Sequence, residues 1–208
     1  MNLFKKLKSY ILPKEVDFFG NLTKQSRMTE AIVTELYNIY ISTSGDATEL
    51  RSLITESKNM RTKNLIELNA VLITPVDREA ISRAYVNLYW IVLSIKHLDM
   101  EIGSYDIKSL NEYENILVNL KQQMNVMSTC FQLLKDNKHS DVLSNVYQVI
   151  HLDNTLILDY SRHLNKLFDG KDMKHILQHK EILSQLKEIS KRIHFCANSV
   201  EDIVFKMN

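Results

Sequence analysis

His175 and His179 stand four residues apart in a helix-forming stretch, a spacing that places two imidazoles on one face of a helix where they could share a Zn²⁺ ion. A catalytic zinc site needs a third protein ligand, and no His-Glu-x-x-His surrounds the pair, so both are read as solvated histidines on the outer face of their helix. Glu-x-x-His does not occur anywhere, which removes the di-iron chemistry that a helical bundle invites. No phosphate-cradling glycine loop and no Gly-x-Ser-x-Gly nucleophile turn is present. Cys130 and Cys196 lack a Cys-x-x-Cys partner and lie in apolar helical settings, as core thiols do in a reducing compartment. Enzymatic readings are left without a mechanism, and the chain is expected to act by binding.

Two features suit contact with a partner. Tyr85, Tyr89 and Trp90 cluster near helical spacing; the two tyrosines read as core, whereas Trp90 points elsewhere and suits an interface. The opening Leu3-Phe4-Lys5-Lys6-Leu7-Lys8, with Tyr10 and Ile11, forms a short basic amphipathic element that could brush an anionic surface or fold back onto the body.

The elements that must hold these residues are helices. Four glycines and two prolines in 208 residues leave few obligatory breaks, which excludes a turn-rich β protein. Twenty-six Lys and Arg against 25 Asp and Glu give no global basic field, so a nucleic-acid partner is not expected. The N-terminus lacks a signal-peptide apolar run, and apolar stretches such as 88–93 are too short to span a bilayer; a cytoplasmic protein is expected.

Apolar stripes and capping residues divide the chain into six long helices. The first runs from about Glu15 to Ser42 through Phe18, Leu22, Ile32 and Leu36, and ends at Ser44-Gly45-Asp46. The second runs from about Ala47 to Leu72. Thr74-Pro75-Val76-Asp77 offers a hydroxyl cap and a first-turn proline for the third, which carries Ile81, Ala84, Leu88, Ile91, Ile95 and Leu98 and stops at Gly103-Ser104. Ser109-Leu110-Asn111-Glu112 reads as a capping box for the fourth, through Ile116, Leu120, Met124, Met127, Phe131 and Leu134 to about Lys135. The fifth spans about Asp141 to Phe168, closed by Asp169-Gly170, and the sixth about Asp172 to Lys206. The expected fold is all-α, two three-helix bundles with a short N-terminal amphipathic helix, divided into residues 1–103 and 104–208. A faint match between Leu68-Asn69-Ala70-Val71-Leu72 and Leu164-Asn165-Lys166-Leu167-Phe168 suggests an internal duplication.

Four stretches carry a family resemblance. Leu12-Pro13-Lys14-Glu15-Val16-Asp17-Phe18-Phe19, the block Ile73-Thr74-Pro75-Val76-Asp77-Arg78-Glu79-Ala80-Ile81 after Leu68-Asn69, Tyr160 with Leu164 to Phe168, and Lys180-Glu181-Ile182 with the tail from Cys196 to Lys206 resemble the PhoU-like accessory proteins associated with Pit-type phosphate transporters. The resemblance spans nearly the full length. It implies two three-helix bundles and a non-enzymatic accessory or regulatory role in inorganic phosphate transport, exerted on a membrane transporter from its cytoplasmic side. Phe4, Lys5, Lys6, Lys8 and Trp90 are the candidate partner-binding residues. Peripheral membrane contact and self-association are open to such a protein, and the alternative is a general helical scaffold or adaptor with no role in phosphate transport.

The wider family carries Glu/Asp-x-x-x-Asp motifs that bind multinuclear metal clusters. On alignment those positions fall at Ile54 and Lys58, Tyr89 and Leu93, Asp153 and Ile157, and Lys187 and Lys191, where Asp153 alone could ligate. A fixed lysine does more than delete a ligand: at an effective dielectric of about 20, like unit charges about 4 Å apart repel by about 4 kcal/mol. Shifting the alignment to Glu56 or Glu188 recovers isolated carboxylates only. No family-type cluster, and no cofactor, is therefore expected; misplaced ligands in a metal-dependent binding module would be the way for this to fail.

Overall fold

Aspartates open most of the helices. Asp17, Asp46 and Asp77 each turn a carboxylate back onto an early amide, those of Gly20 (2.7 Å), Thr48 (2.7 Å) and Glu79 (3.2 Å), and Asp172 accepts from Lys174 and His175. Each supplies an acceptor to an amide that has no partner within its helix. The computed structural model describes residues 16–207, so the basic amphipathic opening, with Phe4, Lys5, Lys6 and Lys8, lies outside the described residues. Within them the chain is helical throughout and contains no strand: α1 (Phe18–Tyr37, continued by a π-helical turn Asn38–Ser42), α2 (Ala47–Ala70), α3 (Arg78–Tyr105), α4 (Glu114–Lys135, entered through a 3₁₀ turn Asn111–Tyr113), α5 (His139–Phe168) and α6 (Met173–Met207).

The boundaries differ from expectation where capping chemistry was misjudged. Thr74 and Pro75 do not start α3; the Thr74 hydroxyl bonds the Val76 carbonyl, and the helix begins one turn later, after Asp77. Arg78 then donates to the carbonyls of Val71 and Leu72, fixing the connection from α2. Leu72, expected to end the second helix, lies past its last residue and is exposed. None of the glycines takes a left-handed conformation. Thr43, Asp106 and Asn137 do so instead, at φ of 54°, 57° and 57°, after α1, α3 and α4. α3 accordingly passes through Gly103 and stops at Tyr105. Asp and Asn tolerate this region because their short polar side chains bond locally.

Gly20 leaves room for the cap of α1. A Cβ there would collide with the Asp17 carboxylate that caps α1. Lys135 pairs with the same carboxylate at 3.3 Å. The Gly20 amide, and secondarily Lys135, holds the Asp17 pKa below the ordinary carboxylate value. Asp17→Ala should therefore cost about 1 kcal/mol at neutral pH. Since the folded pKa is depressed, the contribution is full above the unfolded carboxylate value and disappears as pH falls through the folded one. Urea unfolding of both proteins at pH 7 and below pH 3 should show the difference shrinking toward zero in acid.

The helices pack around a central four. α1 lies against α4 and α3 against α6, while α1 also meets α3 and α4 meets α6; α2 covers α1 and α3 on one flank, and α5 covers α4 and α6 on the other. Exchanging the first three helices for the last three maps this packing onto itself, a clearer sign of duplication than the faint sequence match. All six stripe residues of α3 and all six of α4 are buried in one continuous core. Each half also holds a fully buried glutamine on its first helix. Gln25 donates to the Tyr85 carbonyl of α3 (2.8 Å) and accepts from Asn64 of α2 (3.0 Å), while Gln123 bonds Ser190 of α6 (2.7 Å), which reaches Asp153 of α5.

Candidate functional site

Two of the positions aligned with the family's metal motifs, Tyr89 and Lys187, take part in cation–aromatic pairs. Arg61 of α2 lies 5.2 Å from the ring centroid of Tyr89 on α3, and Lys187 of α6 lies 4.2 Å from that of Tyr160 on α5, so each half bridges its second and third helices with such a pair, cation and ring having exchanged helices between the halves. Asp153 is not turned toward these pairs. Its buried carboxylate accepts from the Ser190 hydroxyl at 2.5 Å and meets Nδ1 of His194 at 2.8 Å, which spends both oxygens on structure.

Trp90 is 42% exposed, as expected of a residue pointing out of the core, whereas Tyr85 is fully buried and Tyr89 half-buried. The Arg192 guanidinium sits 5.0 Å from the Trp90 ring centroid and pairs with Glu188 at 2.6 Å. Asn87 donates to the Phe195 carbonyl, and Lys191 lies over the Phe195 ring. The α3–α6 seam, flanked by α2 and α5, thus presents a face of aromatic rings with guanidinium and ammonium groups beside them. Cys130 and Cys196 are buried as expected; burial pushes the Cys130 thiol up to about 12 and that of Cys196 higher still, so neither is a nucleophile at neutral pH.

The histidine pair differs from the sequence reading. α6 enters over the 3₁₀ turn that precedes α4, with the Asp172 cap placing His175 in the first turn and His179 one turn deeper. His175 is exposed, but His179 is buried at 8% exposure rather than solvated on the outer face. Its Nδ1 lies 2.8 Å from a Glu112 carboxylate oxygen and 2.9 Å from the Tyr113 hydroxyl. The two imidazole rings face one another with centroids 4.0 Å apart. Glu112, expected to reach back in a capping box, instead turns to His179; the Ser109 hydroxyl still accepts from the Asn111 amide. Glu112, His175 and His179 each bring one ligand atom to within 4.8 Å of the others. Beside them is a pocket of about 190 Å³, also lined by Tyr113, His163 and Lys166.

Burial lowers the His179 pKa, with Glu112 opposing and His175 reinforcing the shift, which favours the neutral ring. Burial, aided by the Glu112 charge, raises that of Tyr113, which keeps its proton. The i, i+4 histidines were visible in the sequence. Glu112 was not, because it lies 63 residues before His175 in the chain, in a turn where it had a local explanation.

No helix among the described residues is long and apolar enough to cross a membrane. No protein-family model matches the chain. It is a distant relative, 24% identical over 162 residues that cover 77% of this chain and 79% of the other, of UPF0111 protein YkaA from Bacillus subtilis (strain 168).

Proposed function

We propose that the chain is a non-enzymatic accessory or regulatory protein of inorganic phosphate transport, working on the cytoplasmic side by contact with a Pit-type membrane transporter. The observation that carries this reading is the α3–α6 face, where Tyr89 and Lys187, at two of the positions that align with metal-binding carboxylates of the PhoU-like family, pair with Arg61 and Tyr160, and Trp90 pairs with Arg192. The exposed Trp90 ring and half-buried tyrosines flanked by cations suit an acidic protein surface, because aromatic and arginine side chains supply anchors and the charges steer approach. A second support is spatial. The block around Asp77 and the C-terminal tail, two separate parts of the resemblance, meet through Lys206 with Asp77 at 3.0 Å and Arg83 with Asp202 at 3.3 Å.

The test is retention of a detergent-solubilised phosphate permease by the immobilised full chain. Wild type should retain it, and the double variant Trp90→Ala, Arg192→Glu should lose at least about tenfold, because it removes an anchor and reverses a charge on the same patch. Glu30→Gln, on the face of the α1–α4 seam, should behave as wild type. Failure of wild type to retain the permease would favour the general scaffold or adaptor reading.

A further inference from the structure

We propose that Glu112, His175 and His179 form a binding site for a single divalent transition-metal ion of the zinc class, separate from the positions where the PhoU-like family holds its clusters and independent of the transporter reading. Two imidazoles and one carboxylate form a donor set suited to Zn²⁺, which accepts three protein ligands and leaves a fourth position for water. The set joins a helix pair at i, i+4 to a side chain from a different element, so three donors converge from two rigid supports. A tetrahedral ion with bonds of about 2.0–2.1 Å spaces its ligands about 3.4 Å apart. The donors already lie within 4.8 Å, and the exposed Glu112 and His175 side chains have room to make the remaining adjustment.

The surroundings are those of a ligand shell. The Tyr113 hydroxyl, 2.9 Å from Nδ1 of His179, also hydrogen-bonds the Glu112 carboxylate, the outer support that metal-binding carboxylates need. Two imidazole rings with centroids 4.0 Å apart set two nitrogen donors side by side. Lys166 also lines the pocket, but it is exposed and its repulsion is screened by solvent. An ion here would tie the start of α6 to the turn that opens α4.

The experiment uses the full chain purified without a histidine tag and stripped with chelator, titrated with ZnCl₂ by isothermal calorimetry at pH 7.5. One Zn²⁺ should bind per chain, and His175→Ala and Glu112→Gln should each weaken it about 100-fold or more, exceeding the effect of losing an outer-shell partner. Both residues are exposed, so these variants should fold, and circular dichroism checks it. His151→Ala, an exposed histidine on α5, should leave affinity unchanged. Co²⁺ in place of zinc should give the intense visible bands of a four-coordinate ion, lost in His175→Ala. Absence of saturable binding, or affinity undiminished in His175→Ala, overturns the site.

Discussion

Asp153→Ala should lower the unfolding free energy by about 2–4 kcal/mol, measured by urea denaturation at neutral pH. Asp153 is buried at the centre of the second half, where its two oxygens engage Ser190 and His194, and Ser190 in turn bonds Gln123. Alanine removes the acceptor that ties α5 to two side chains of α6. It leaves the Ser190 hydroxyl dependent on Gln123 Oε1, 3.1 Å away, and strips His194 of its carboxylate. That remaining contact keeps the loss short of the full cost of orphaning every member. Asp153→Asn should cost less, about 1–2 kcal/mol, because the amide oxygen still accepts from Ser190 while its NH₂ faces a histidine nitrogen. A loss below 1 kcal/mol for the alanine variant would mean that the carboxylate is a bystander and that Gln123 and Ser190 hold the helices without it.

Tyr85→Ala should be at least as damaging, at about 3–5 kcal/mol, since it removes a fully buried ring from the junction of α1 and α3. The Tyr85 hydroxyl donates to the Phe18 carbonyl at 3.2 Å, at the start of α1, and its backbone carbonyl takes the Gln25 amide. Tyr85→Phe isolates the hydroxyl and should cost about 1 kcal/mol. If the alanine variant unfolds within 1 kcal/mol of wild type, the site collapses without leaving a cavity and the ring is not a keystone of the first half.

What could be read from the sequence is what depends on near neighbours. The stripes of α3 and α4 were legible because helical periodicity and burial are two views of one constraint. Capping aspartates were partly legible: Asp172 and Asp77 sit where polar residues precede an apolar run, yet Thr74-Pro75 drew the start of α3 forward because it too had the right local chemistry. The glycine stops failed for a similar reason, since Thr43, Asp106 and Asn137 could adopt the left-handed turn without them. Tertiary facts were not legible. Nothing in the residues near His179 says that Glu112 and Tyr113 will lie over it, and nothing in α1 or α3 announces α4 and α6 as their partners.

That crosswise pairing governs how the chain can be made. The first three helices leave the ribosome with the sides that α4 and α6 will cover still bare, and α3 must wait for the 35-residue α6 before its wall is closed. Cotranslational folding can therefore assemble no more than a provisional half, greasy along two edges, until α6 has been made. A truncation near the C-terminus should strip away a structural seam and leave a sticky intermediate for chaperones and proteases to sort.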